Sequence, residues 1–323
     1  LQFERFEQHL VRRLTELKLI RPKKVYVDAT VYPVDMKYPT DVSLIEKARR
    51  TLVRIVDDLG KKIGKKCRTY KRKAKSAFTS FSKKKHKSRR EIRKAIKQGL
   101  QFMRRNLRQA EDCIEKARKK GFALNEKVHE KIKVIRDLLN QQTEMYRKKI
   151  HRVKNRIVSL NREHIRPIIR GKNGKPTEFG HKASLSYVDN FCFLDRISAD
   201  AFNESEDLIP QVERFKQRFG KYPNAVGADK IYGNRVNRRY LKNNNIRHSL
   251  MPLGRAVRSE SPSQKRWRRL EQKRRGAWME GIIGHSKNNF GLERIKAKHK
   301  NTEELWVKLA ILAMNLDTAM KKI

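Results

Sequence analysis

The chain has 323 residues, 37% of them hydrophobic, which is enough for about two domains and at least one sizeable core. Its 81 Lys and Arg against 34 Asp and Glu give a formal net charge of +47 and a pI near 10.6. Such a surface attracts polyanions, nucleic acid first and an anionic membrane second. No apolar run reaches the ~18 residues of a membrane span; the most apolar stretch, Leu305 to Leu316, is interrupted by Lys308 and reads as an amphipathic core helix. The three cysteines, Cys67, Cys113 and Cys192, lie far apart without metal-ligand spacing, and no signal peptide opens the chain, which points to a reducing cytoplasm. Leu1 in place of Met leads to the expectation that an amino-terminal part precedes this sequence.

Residues 1–20 read as the end of an amino-terminal helical region. Residues 24–32 then alternate as in a strand, and "VYVDATVYP" (25–33) carries one carboxylate, Asp28, in an apolar, β-branched run. Aspartate is depleted in strands and rarely buried unless it is paired or binds a metal. Thr40 or Asp41 supplies a helix N-cap before a periodic run to about Leu59. Between Lys61 and Leu100 stand eighteen Lys or Arg and a single acid, Glu91, with Tyr70, Phe78 and Phe81 interleaved. A block so dense points to nucleic-acid contact rather than to a merely solvated face, with Lys71, Arg72, Lys73 and Lys75 as DNA-binding candidates. From about Glu91 to Ile165 helix formers dominate, with spaced apolar positions such as Ile132, Ile135, Leu138 and Leu139. A break near Gly121-Phe122 predicts a long helical hairpin, and the turn-rich "GKNGKP" (171–176) closes the block.

The pattern then turns β again. "EFGHKASLSYVD" (178–189) and "NFCFLDRIS" (190–198) read as a hairpin, followed by a helix from about Glu204 to Phe219. "NAVGAD" (224–229) is a buried strand ending in Asp229, a helix runs from about Asn234 to Asn244, "IRHSLM" (246–251) is another strand, and helices follow to the end. With 41–170 set aside as a basic helical insertion between the first two strands, the order is that of an α/β, ribonuclease-H-like mixed sheet. Its catalytic domain is discontinuous, 21–40 and 171–300, with a carboxy-terminal helix, 301–323, packing on the core. In that topology the first and fourth strands are neighbours, so Asp28 and Asp229 face each other although 201 residues separate them. Two carboxylates so close both stay ionised only with a cation between them. Glu280, on the last helix laid against such a sheet, supplies a third acid, and three carboxylates suit Mg²⁺, which keeps waters and binds substrate phosphates.

Each residue has a plainer reading. Asp28 alone is a turn or bulge residue, Asp229 an Asx-turn or helix N-cap, and Glu280 a solvated helix position; their joint placement in one topology favours the metal site. Lys287, seven residues after Glu280, returns to the same helix face, and Gly284 between them leaves room for a phosphate backbone. His285 stays outside the triad, and Asp35 and Asp41 read as turn and cap residues.

The blocks "VYVDATVYPVDMKYPTD", "GKPTEFGHKASLS", "GKYPNAVGADKIYGNRVNRRYLKNNNI" and "WMEGIIGHSKNNFGLERIKAK" resemble those of bacterial insertion-sequence transposases of the DDE class, within the group (insertion-sequence four and five type) marked by a Tyr-Arg-Glu-Lys signature. The resemblance runs from about residue 20 to 323. It implies Asp28, Asp229 and Glu280 as catalytic and metal-binding triad, and Lys287 as the signature Lys on the element-end DNA. The chain departs from the signature by having Gly276 where the signature has Arg and Lys273 where the signature has Tyr; Arg275 is one place out of step. Two Mg²⁺ ions, with Mn²⁺ able to substitute, cleavage of element ends, transfer of the freed 3′ ends to target DNA, a homodimer on paired ends and a cytoplasmic, nucleoid-associated location are likewise what the resemblance implies. The alternatives are a ribonuclease-H-like nuclease without strand transfer and an inactive or domesticated transposase acting as a DNA-binding protein.

Overall fold

In a computed structural model describing residues 2–123, 125–169, 177–254 and 260–323, the apolar alternation after residue 23 forms strand β1 (Lys24–Pro33). The turn-rich 171–176 segment lies outside the described residues. The chain divides into two units, Leu1–Asp35 with Pro167–Ile323, and Met36–Arg166.

In the first unit β1 pairs antiparallel with β3 (Thr177–Val188) and parallel with β5 (Ala225–Gly227). Strand β4 (Phe191–Ser198) flanks β3, and β6 (Arg247–His248) flanks β5 in parallel. The order β4-β3-β1-β5-β6 puts the first strand in the middle of a mixed sheet, the arrangement that the order of elements in the sequence predicts. A three-residue strand, β2 (Pro167–Ile169), also pairs with β3. Its leading proline is tolerated because the first residue of an edge strand needs no ladder donor. Asp189 and Asn190, both at positive φ, make the two-residue turn that suits the twist of a β3–β4 hairpin.

Helices α1 (Gln2–Glu16), α6 (Leu208–Phe219), α7 (Arg235–Asn243), α8 (Pro262–Asn289) and α9 (Lys300–Met320) belong to the same unit. Val11 and Leu14 of α1 and Leu208, Val212 and Phe215 of α6 share a core with Val25, Val27, Phe191, Phe193 and Val226 of the sheet. The run from Leu305 to Leu316 is the amphipathic helix expected: Val307, Ile311 and Met314 are buried, whereas Leu305, Leu309 and Leu316 are exposed. No described helix is long and apolar enough to cross a membrane.

The second unit is helical. Helix α2 (Asp41–Ile63) starts at a capping box between Thr40 and Ser43 and ends at Gly64, which takes the left-handed conformation at φ 70°. Helix α3 (Lys71–Lys83) carries the basic stretch, and α4 (Arg89–Lys119) opens with a second capping box, Ser88 and Glu91. Helix α5 (Glu126–Lys148) returns after the break expected near Gly121. Ile45, Leu52, Met103, Ala110, Ile135 and Leu138 lie in its core. The hairpin is shorter than its composition predicts, because Lys149 adopts φ 56° and its amide closes onto the Met145 carbonyl, stopping α5. The residues beyond are irregular, yet Ile157 and Leu160 still enter the core.

One side chain substitutes for a missing strand at the sheet edge. Asn315 of α9 accepts from the Cys192 amide at 2.9 Å through Oδ1 and donates to the Cys192 carbonyl at 2.6 Å through Nδ2. Both groups are buried, so losing their partner leaves two unmet polar groups at about 1–3 kcal/mol each. Asn315→Leu is therefore expected to lower unfolding free energy by about 2–6 kcal/mol in urea titrations; a loss below ~0.5 kcal/mol would show that other groups satisfy the edge.

Candidate active site

The parallel ladder between β1 and β5 fixes the register of the two aspartates. Tyr26 lies opposite Gly227, and Asp28 and Asp229 each stand two residues further along. A side chain at Gly227 would collide with the Tyr26 ring, a Cβ there falling 2.3 Å from it, so the glycine permits this close approach. Beyond Gly227 the chain leaves the sheet, and Asp229 caps a 3₁₀ turn over Lys230–Tyr232, its Oδ1 accepting from the Lys230 amide at 2.6 Å. The N-cap role and a place beside Asp28 thus coexist.

Helix α8 lies along β1 and touches it residue by residue. Glu271 accepts hydrogen bonds from the Lys24 ammonium at 2.8 Å and from the Tyr26 hydroxyl, and Arg274 pairs with it at 2.9 Å. Trp278 meets Tyr26 edge-on and stacks on Tyr187. Ser286 and the Tyr32 hydroxyl are 3.1 Å apart. Gln272 donates to the Ala228 and Ser249 carbonyls, where β5 and β6 end. These contacts put Glu271, Arg275 and Ser286 on the sheet side of α8.

Arg275 is consequently the α8 residue that reaches the aspartates. Its Nη1 donates to Asp28 Oδ2 at 2.8 Å, and its Nη2 lies 4.0 Å from Asp229 Oδ1. The other Asp28 oxygen accepts from the Ala29 amide at 2.8 Å. Burial pushes the Asp28 carboxyl above its usual range, against the Arg275 charge and the Ala29 amide, while Glu204 and Asp229 add to the rise. Arg275 Nε is buried without a hydrogen-bond partner among the described residues. One guanidinium thus serves two acids and is itself incompletely satisfied.

Glu280 is exposed on α8. It stands five residues after Arg275, which at ~100° per residue turns it by about 140° around the helix. The structure brings Asp28 and Asp229 to Arg275, and among the described residues no ion pair joins Glu280 to that guanidinium. Lys287 is half-buried, its ammonium 5.8 Å from the centre of the Tyr32 ring. Lys71, Arg72, Lys73 and Lys75 are exposed on the first turns of α3, and Lys71 pairs with Asp57 at 2.9 Å. Spacing within the signature puts Arg275 one place out of step and gives Glu271 no part, because the docking face of α8 is set by partners on β1. The run of polar and charged residues at 271–275 is the one local signal of a helix face held by charge.

The residues fit a hard divalent ion. The donor set is two carboxylates brought together, and the position between them already holds a cation. Residues 226–317 match the family model described as Transposase DDE domain. The match supports a transposase of the DDE class. It spans Asp229, Arg275, Glu280 and Lys287 and leaves out Asp28. A DDE domain implies a ribonuclease-H-like fold, polynucleotidyl transferase or nuclease chemistry, DNA as a partner and a divalent metal, in keeping with the mixed sheet. No curated protein and no solved structure matches.

Glu271 gives the site's scaffold a pH dependence. Burial would lift its carboxyl, but the bonds from Lys24, Tyr26 and Arg274 outweigh it and hold the group below the ordinary 4.5. Its stabilising contribution is full above that value and disappears as pH falls through the lower folded value. Glu271→Gln is expected to destabilise by about 1–3 kcal/mol at pH 7, and the gap to wild type should narrow on acidification below 4.5. A gap that is constant or widens across that range in thermal melts would contradict the ionised pairing.

Proposed function

We propose that this chain is a DNA transposase that cleaves the ends of an insertion sequence and joins the 3′ ends to target DNA, with Asp28, Asp229 and Glu280 as its metal-holding acids. The observation that carries the reading is the meeting of Asp28 and Asp229 across adjacent parallel strands at one guanidinium, in a chain matching a DDE domain. Asp28, Asp229 and Glu280 would hold divalent ions, Mg²⁺ first and Mn²⁺ as substitute, whose chemistry would be to activate a water and offset charge on the reacting phosphate. The carboxylates orient ions and phosphate and do no covalent work. Glu280 is the acid proposed to complete the set from the exposed side of α8. The finer assignment to the Tyr-Arg-Glu-Lys group, the homodimer on paired ends and the nucleoid location belong to the same reading.

The basic unit between β1 and β2 is read as an arm that positions DNA. Helix α3 has no side-chain cap and no acid in its first turn, while Lys71, Arg72 and Lys73 crowd the positive end of its dipole. That arrangement is unfavourable alone and is relieved by an anion. Tyr70, just before it, lies between Arg68 and Arg105, 4.7 and 4.6 Å from its ring centre, which fixes the entry of the helix. On α8 a Cβ at Gly276, Gly281 or Gly284 would meet nothing within 4 Å; these glycines leave a bare helix surface beside Glu280 and Lys287.

Asp28→Asn, Asp229→Asn and Glu280→Gln are each expected to abolish Mg²⁺-dependent cleavage of element-end DNA while binding stays within about twofold, since affinity comes mainly from phosphate contacts. Cleavage at the wild-type rate by the Asp28 variant would overturn the assignment, and by the Glu280 variant alone would remove Glu280 from the set. Cleavage without joining would favour the plain nuclease. No cleavage by wild type, with intact binding, would favour the DNA-binding reading. Replacing Lys71, Arg72, Lys73 and Lys75 with Ala should reduce the slope of log K against log salt by up to ~0.9 per lost contact; an unchanged slope returns α3 to a solvated face. Lys287→Ala should weaken end binding without rescue by added Mg²⁺. Gly284→Ala should stabilise the fold by about 0.5–1 kcal/mol through helix propensity yet weaken DNA binding; tighter or equal binding would exclude close approach there.

A further inference from the structure

Asp28 and Asp229 already have a cation. The Arg275 guanidinium, only 14% exposed, donates to Asp28 at 2.8 Å and lies 4.0 Å from Asp229. A guanidinium does not lose its proton, so this charge cannot be titrated away. An ion entering between the aspartates must therefore compete with Arg275 for the same oxygens. The contact is also incomplete, because Nε has no partner among the described residues and the Asp229 separation exceeds a hydrogen bond. Such a pairing holds the acids together without filling all their acceptor sites.

An arginine that leaves the aspartates needs another anion, since an unpaired, part-buried guanidinium is expensive. The surrounding surface says which anion. Helix α8 begins with Lys265, Arg266, Arg268 and Arg269 and continues with Lys273 and Arg274, against Glu271 alone before Glu280. Arg268 is committed to Glu260 and Arg274 to Glu271. Lys265, Arg266, Arg269 and Lys273 are exposed on the same helix, and at about 100° per residue Arg266, Arg269 and Lys273 stand about 120–180° around it from Arg275, so they line the outer face of α8 rather than the guanidinium itself. That outer face suits a polyphosphate backbone.

We propose that Arg275 is a resident counter-ion which a divalent metal displaces, and that a DNA phosphate takes the displaced guanidinium, so that metal and DNA bind this site cooperatively. The inference rests on the reading of Asp28 and Asp229 as metal ligands. It makes the aspartate pair stable without metal and makes metal loading depend on DNA. By linkage the same factor must act in both directions, DNA tightening the metal and metal tightening DNA.

The test is equilibrium Mn²⁺ binding to the full chain, read by the loss of the free-ion electron paramagnetic signal. It is made with and without a 20-base-pair duplex of arbitrary sequence, with Asp28→Asn and the same duplex as the background. Wild type should bind Mn²⁺ about tenfold more tightly with DNA, the size of a typical coupling, and Mn²⁺ should tighten DNA by the same factor. Arg275→Gln should bind Mn²⁺ about tenfold more tightly than wild type without DNA, and the effect of DNA should fall below about twofold. Arg275→Lys keeps a cation in place but cannot span both acids, and should fall between them. Equal or weaker Mn²⁺ binding by Arg275→Gln and Arg275→Lys without DNA would overturn the proposal. Mn²⁺ binding that is indifferent to Asp28→Asn in every form would overturn the metal reading itself, and the proposal with it.

Discussion

Two like charges held side by side impose the main constraint on this molecule. Asp28 and Asp229 come from strands that the parallel β1–β5 ladder sets in register, and both can stay ionised only with a positive charge between them. In this structure Arg275 supplies it, and α8 must lie where its sheet side delivers that residue. Glu271, Gln272, Trp278 and Ser286 make the contacts that hold it there. The buried Glu271 gathers Lys24, Tyr26 and Arg274 around one carboxylate, so the helix is fixed a single turn before the guanidinium. A site built to bring two acids together is thereby also built to hold a cation.

Much of this arrangement is legible in the sequence, for identifiable reasons. The alternation around Asp28 has a period of two and flanks an acid, which marks a strand with a charge that needs a partner. "NAVGAD" ends its apolar run at Asp229 just before a turn, and the hairpin at Asp189-Asn190 carries residues suited to positive φ. The order of elements then determines which strands can be neighbours. Three features could not be read this way. Strand β2 has three residues and begins with proline, too short for any period. Helix α5 stops because Lys149 turns left-handed, which a lysine does not advertise. The rotation of α8 is decided by tertiary partners on β1 rather than by its own pattern, since polar residues lie on all its faces. Motif spacing therefore directs attention to Glu280 and Lys287, while the contacts direct Arg275 to the aspartates.

The distribution of charge separates two tasks. In the unit spanning Met36–Arg166, basic residues stand over an apolar core assembled by α2, α4 and α5, and most are exposed; they can bind phosphates without disturbing that core. In the sheet unit, the charges near Asp28 are few, partly buried and matched to named acids. The first pattern suits affinity that varies with salt, the second suits geometry that does not. Arg275 belongs to the second pattern, since it neutralises acids inside the site.

The most direct test of the aspartate pair as a metal site is to load the protein with Fe²⁺, add ascorbate and peroxide, and map where hydroxyl radicals cut the backbone. If Asp28 and Asp229 hold the ion together, fragments should end near residues 28–30 and 228–230, and both sets should disappear in Asp28→Asn. Cutting that spares those two strand ends, or that persists unchanged in Asp28→Asn, would contradict it.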